Sequence, residues 1–226
     1  MPTAAPTLAP LDRSSLREQV QVVLRTSITT GELEPGHLYS VGEFAERLQV
    51  SATPVREALV NLAHLGLVEI VRNRGFVVPE LSDHDLDEIL QLRLFLEVPA
   101  IEQVAGNLDA ATLARCRRDA QECKDAATRG SLREFLDSDR SFHLHLIGAL
   151  GNRRLVDTLG HLRDQTRLYG LRDLAERGQL VASALEHETL LDAVENGDAA
   201  QAREEISRHL RHTRGSWAGR DETTLP

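Results

Sequence analysis

The sequence predicts a mainly α protein: a front domain of three helices closed by a small β-hairpin, then an all-α bundle of about six helices. Three observations carry this expectation. Apolar residues recur at i, i+3, i+4 and i+7 along most of the chain. Two short apolar runs break that period, LVEIV at 67–71 and FVV at 76–78, on either side of the basic turn RNRG. Turn chemistry then cuts the rear of the chain at Gly106-Asn107, Gly130-Ser131, Gly151-Asn152, Gly178 and Asn196-Gly197-Asp198.

Taken in order, the first twelve residues, MPTAAPTLAPLD, lack both a basic start and an apolar core, and read as a floppy arm rather than a signal peptide or anchor. From Leu16 to Thr30 the positions Leu16, Val20, Val23, Leu24 and Ile28 keep helical spacing, and Gly31 stops the run. After a turn at Glu34-Pro35-Gly36 come helical patterns over Val41 to Leu48 and Ala52 to Leu65. The second opens with Ser51 and Thr53 as cap candidates, and Pro54 is tolerated in a first turn. Helix, helix, helix, hairpin is the order of a winged helix-turn-helix. Residues 1–12 are read as arm, 13–79 as this head, 80–218 as the bundle and 219–226 as tail.

The 226 residues suffice for two cores, and 41% hydrophobic with 27% charged residues is a globular composition. No apolar run approaches the roughly 20 residues of a membrane span, so a soluble, cytoplasmic protein with no membrane partner is expected. Cys116 and Cys123 lie seven apart in one helical pattern, too far for a disulfide within it, which fits a reducing compartment. The net charge of −9 argues against indiscriminate attraction to nucleic acid. It is concentrated behind Glu80, where 19 basic and 26 acidic residues stand against 7 and 9 in front.

In the head, Val55, Leu59 and Leu62 share the buried side of the third helix while Ala52 and Arg56 share the other, as a helix entering the major groove requires. The stretches GELEPGHLYSVGEFAERLQV and SATPVREALVNLAHLGLVEIVRNRGFVV resemble the winged helix-turn-helix of the GntR family of bacterial transcription regulators, in a likeness that covers residues 16 to 79. The resemblance implies phosphate contact by Ser51 and Thr53, major-groove contact by Arg56, and groove or backbone contact by Arg72, Asn73 and Arg74. Where family members often carry arginines, this chain has Gly42 and Ala52, so base-reading groups are lost and the operator of better-known relatives does not transfer. The near-neutral head implies modest nonspecific affinity and binding by two copies together, as a homodimer on a two-fold DNA operator.

In the bundle, the helix from Leu132 to Leu150 has the apolar stripe Leu132, Phe135, Leu136, Phe142, Leu146, Ile147 and Leu150, and Asp139 and His143 fill its gaps. They therefore point inward, whereas His145, about 200° round from His143, looks outward. His187 takes an inward slot in the stripe Leu180, Ala184, Leu191, Val194. His209 does so in Ala202, Ile206, Thr213. Gly197 and Asp198 suit the C-cap and N-cap of a tight helical hairpin, which brings the two imidazoles level. One carboxylate and three imidazoles form a borderline ligand set for a divalent metal ion such as Zn, Ni, Mn or Fe. The pattern D-x-x-x-H, E-H at 186–187 and a histidine 22 residues on also resembles the metal-binding form of the FCD domain in the FadR branch of GntR regulators, of the VanR-like type. That resemblance implies Asp139, His143, His187 and His209 as metal ligands and a small carboxylate or sugar acid as effector, with Arg93, Arg163 and Arg167 as contacts.

The leading expectation is a ligand-responsive transcription regulator, a repressor by preference, and not an enzyme. The alternative is a metal-dependent hydrolase with an accessory winged-helix domain. Against it, there is no H-E-x-x-H helix, and Glu186 and Glu188 flank His187 rather than lying a turn away on its face. A third reading makes the metal structural only and the head a protein-binding module.

Overall fold

The structure, a computed structural model, describes residues 16–166 and 180–217, the side chains of 215–217 excepted. Arg167, the breakpoint at Gly178, the arm and the tail lie outside the described residues. Twelve elements are described: α1 (Leu16–Thr29), β1 (Leu38–Tyr39), α2 (Val41–Arg47), α3 (Ala52–His64), β2 (Glu69–Val71), β3 (Gly75–Val77), α4 (Asp83–Val104), α5 (Ala110–Arg129), α6 (Leu132–Gly148), α7 (Arg153–Thr166), α8 (Leu180–Glu195) and α9 (Ala199–Trp217). They fall into two compact units that divide after Pro79, with residues 29–32 counted in the second.

In the first unit, Val20, Leu24 and Ile28 form a buried line at i+4 spacing, while Leu16 and Val23 remain exposed, so the expected stripe is narrower than its five positions. The expected hairpin gains a third strand. β1 pairs antiparallel with β3, which also pairs with β2, in the order β1-β3-β2, with Leu38 opposite Val77 and Ile70 opposite Phe76. A two-residue strand leaves no alternation to detect, which is why the sequence hid it. Phe76, on the central strand, is fully buried and packs on Tyr39 and Phe44, with ring centroids 5.5 Å apart in both pairs. Asn73 turns the wing in the left-handed conformation at φ 60°. Gly75 is required: at φ 142° any Cβ would stand 1.9 Å from the Tyr39 carbonyl oxygen. Ser51 occupies the N-cap position of α3 but makes no side-chain capping bond.

In the second unit, α4 starts with a capping box: the Asp85 amide donates to Ser82 Oγ at 3.2 Å and the Ser82 amide to Asp85 Oδ2 at 2.8 Å. Gly130 ends α5 in the left-handed conformation and Asp109 caps its start through the Thr112 amide, 2.7 Å. Helices α5, α6 and α8 pack side by side, and α4 lies along α9. The core between them runs through Ile101, Val104, Phe142, Leu146, Ile147, Leu190, Leu191, Val194, Ile206 and Leu210. Each such side chain contributes about 1.5–3 kcal/mol by leaving water. The hairpin between α8 and α9 has the expected caps, Gly197 at φ 73° and Asp198 accepting from the Gln201 amide at 2.9 Å. That tight turn holds His187 and His209 level.

Cys116 and Cys123 are both free and fully buried in the bundle. Burial, with Asp119 close by, pushes the Cys116 thiol up to about 12, and burial pushes Cys123 higher still. Since thiolate is the reactive form, neither cysteine should be alkylated by iodoacetamide in the native protein, and both should be in 8 M urea. Mass spectrometry of the labelled chain reads this directly.

Candidate functional site

Three helices bring the inward polar residues together. Asp139 and His143 stand one turn apart on α6, His187 is on α8 and His209 on α9; the three imidazoles are at most 2% exposed. One ligand atom from each of these four residues lies within 4.8 Å of the other three. Asp139 Oδ1 is 3.2 Å from His187 Nε2, 3.7 Å from His143 Nε2 and 3.9 Å from His209 Nε2. His143 Nε2 and His209 Nε2 face each other at 3.1 Å. Around a cation with bonds of about 2.1 Å, neighbouring ligand atoms stand about 3.0 Å apart in an octahedron and about 3.4 Å apart in a tetrahedron. The separations are of that size.

The polar bookkeeping of the site points the same way. Both ring nitrogens of His187 and Nδ1 of His143 are buried without a hydrogen-bond partner, although buried polar groups are nearly always paired. His187 Nε2 is near Asp139 but lacks hydrogen-bonding geometry, as a lone pair aimed at a shared centre would. Burial, reinforced for His143 by Arg163, holds His143 and His187 below the ordinary histidine range, so both are neutral and able to ligate. Burial opposes ionisation of Asp139, but His187, the Arg163 guanidinium and His209 outweigh it and keep the carboxylate charged.

A second layer of charge backs the histidines. On α4, Arg93 Nε donates to Glu97 Oε1 at 2.8 Å; from α7, Arg163 donates through Nη2 to Glu97 Oε2 at 2.5 Å and through Nη1 to Asp139 Oδ2 at 3.1 Å. Glu97 is fully buried, Arg93 is 2% exposed and Arg163 5%. Burial disfavours the Glu97 anion, yet the two guanidiniums hold it below the usual carboxylate range. Arg163 keeps one buried donor, Nε, without a partner. On the other side, Glu186 of α8 accepts from His209 Nδ1 at 2.7 Å and from His212 Nδ1. Burial opposes its charge, but these two bonds hold it down at about 2.

Glu97 and Glu186 escaped the sequence reading. Glu97 was legible, because Leu90, Arg93, Glu97, Ile101 and Val104 form an inward stripe of the same kind that exposed Asp139 and His143. Glu186 was judged only as a base for His187. It faces α9 instead. His145 needs a correction: it does stand apart from the cluster, yet it faces the neighbouring helix rather than solvent, with Nδ1 2.6 Å from Asp119 Oδ2 of α5.

In the first unit, Ser51, Thr53, Arg56, Arg72, Asn73 and Arg74 are all exposed. Arg56, Asn73 and Arg74 line one cleft between α3 and the β2–β3 wing. No salt bridge joins Arg56 to a glutamate among the described residues, the pairing that would have made it a surface residue of no consequence.

Known proteins resemble both units. The pattern of the FCD domain matches residues 88–212, more than half of the chain, and that of the bacterial regulatory proteins of the gntR family matches residues 16–78. The chain belongs to the GntR family, in its FCD-bearing form. An uncharacterised HTH-type transcriptional regulator in an unstable DNA locus of Streptomyces ambofaciens is 32% identical over 201 residues, 86% of this chain and 82% of that one. The HTH-type transcriptional regulator LutR of Bacillus subtilis is 30% identical over 206 residues, 81% and 92% of the two chains. The structure of Escherichia coli McbR matches with a TM-score of 0.82 at 26% identity, covering 92% of this chain and 99% of that one. These relatives are transcriptional regulators, so this GntR protein is a DNA-binding regulator and the hydrolase alternative falls. No helix among the described residues is long and apolar enough to cross a membrane.

Proposed function

We propose that this GntR regulator is a cytoplasmic homodimer that senses a small organic acid through a divalent metal ion and thereby changes its grip on a two-fold operator. Repression is the sign we favour. The observation that carries the reading is the convergence of Asp139, His143, His187 and His209, with buried imidazole nitrogens that nothing else satisfies. These four residues would hold the metal, which supplies a Lewis-acidic point for an oxygen ligand. The donor set suits Zn, Ni, Mn or Fe.

Charge counting favours an anionic effector. Arg93 and Arg163 balance Glu97 and Asp139, and the Glu186 carboxylate behind His209 offsets half the charge of a divalent cation, so one positive charge remains in a buried site. A carboxylate or sugar acid relieves that excess, and the unpartnered Nε of Arg163 supplies a donor for it. Arg93, locked onto Glu97, holds the layer behind. Arg167 remains a proposed contact from the sequence resemblance alone. A thermal-shift screen of small organic acids tests this directly: stabilisation that needs both acid and metal supports it, and stabilisation by acids in the presence of chelator overturns it.

For DNA, Arg56 is the proposed base reader, Ser51 and Thr53 contact phosphate, and Arg72, Asn73 and Arg74 reach the groove or backbone from the wing. The exposure of all six and the cleft shared by three of them support this. A bidentate arginine contact to guanine is worth about 1–3 kcal/mol. Arg56→Ala should therefore weaken operator binding about 10- to 100-fold in a fluorescence anisotropy titration, with metal uptake unchanged. Parental affinity for the natural operator would remove α3 as the reading helix.

A further inference from the structure

We infer that Glu186 is a positioning residue of the metal centre, fixing the proton of His209 on Nδ1 so that Nε2 is presented as a lone pair to the ion. The inference rests on the metal reading above.

The geometry is particular to this residue. Neighbouring positions on a helix point about 100° apart, so His187 faces the bundle interior while Glu186, one step earlier on α8, faces α9. There His209 and His212, three residues apart, present their Nδ1 atoms to the two oxygens of the one carboxylate. An ionised carboxylate only accepts, so the 2.7 Å contact requires a proton on His209 Nδ1. Nε2 of a neutral His209 is then unprotonated, and it is Nε2 that stands 3.1 Å from His143 Nε2 and 3.9 Å from Asp139 Oδ1. Among the three imidazoles, His209 alone has this support. His187 Nδ1 has no partner, and His143 Nδ1 stands 3.5 Å from Glu97 Oε2 without hydrogen-bonding geometry. The Glu97 oxygens are already taken by Arg93 and Arg163. Carboxylates behind ligating histidines typically change metal affinity 10- to 100-fold when removed. Glu186 therefore acts through His209 and touches neither metal nor effector.

The test uses the full-length protein with Zn²⁺ alone as probe, in competition with a chromophoric chelator. Glu186→Ala should bind Zn²⁺ 10- to 100-fold more weakly than the parent. Glu186→Gln, which keeps an acceptor oxygen, should fall between them. Glu188→Ala, which removes a carboxylate paired with Lys124 at 2.9 Å away from the cluster, should keep parental affinity. Long-range ¹H–¹⁵N correlation spectra of the metal-free parent should show His209 in the Nδ1–H form, and that form should be lost or mixed in Glu186→Ala. A purely structural glutamate would not move the tautomer. Parental Zn²⁺ affinity in Glu186→Ala, or an Nε2–H His209 in the parent, overturns the assignment. If the parent itself takes up no Zn²⁺, the metal reading fails and takes this assignment with it, a result distinct from the parent and Glu186→Ala binding alike.

Discussion

Glu97→Ala should lower the unfolding free energy of the helical unit by about 3–5 kcal/mol, the cost of leaving buried charge without its counter-ion. Glu97 is the hinge of a buried triad: Arg93 comes to it from its own helix and Arg163 from α7, at 2.8 Å and 2.5 Å. Deleting the carboxylate takes a buried counter-ion from two guanidiniums that have almost no contact with water. Arg163 retains Asp139 at 3.1 Å, whereas Arg93 loses the carboxylate that stands 2.8 Å from its Nε. Glu97→Gln, which keeps an oxygen acceptor but not the charge, should lose less. Urea titrations followed by far-UV circular dichroism measure both. Because α4 and α7 are tied through this residue alone in the charged layer described, the variant should also loosen Arg163 and with it the second oxygen of Asp139. A loss below about 1 kcal/mol, the value of an exposed pair, would mean that water reaches the triad.

What the sequence disclosed depended on periodicity. The four inward polar residues were legible because each interrupts an apolar stripe, and the caps at Gly197 and Asp198 fixed the register that sets His187 against His209. Helix limits were read to within a residue for α1, α2 and α3, since Gly31, Pro35-Gly36 and Gly66 are strong stops. Strand β1 stayed hidden because it exists through pairing with β3 and not through any pattern of its own. Val23 was miscounted because an i+3 position at the edge of a stripe buries only if a neighbour reaches it. Glu186 and His145 show the harder limit. Each bonds a residue on another helix, and a contact between α8 and α9, or α5 and α6, depends on which faces meet.

His187→Leu should separate function from stability by moving them in opposite directions. Both ring nitrogens of His187 are buried without a hydrogen-bond partner in the protein, an arrangement that would cost about 1–3 kcal/mol if no ion were bound. Leucine has similar bulk and no polar atom, and Phe142, 4.5 Å from the imidazole centroid, already offers it an apolar wall. The metal-free variant should be at least as stable as the parent, with any gain within those few kcal/mol. Its affinity for Zn²⁺ should nevertheless fall by more than about 100-fold, beyond what loss of a supporting carboxylate produces. A ligand present at 100 times its Kd stabilises by about 2.7 kcal/mol, and in a unit of this size each kcal/mol raises Tm by about 2–4 °C. The parent should therefore gain several degrees on adding Zn²⁺ and His187→Leu none, while both bind operator DNA in the absence of effector. Such a pattern says that His187 is kept at a cost to the fold for the sake of the ion. If His187→Leu instead destabilised the metal-free bundle by several kcal/mol, the histidine would be a core residue satisfied by Asp139, and the case for a coordinated ion at this point would be lost.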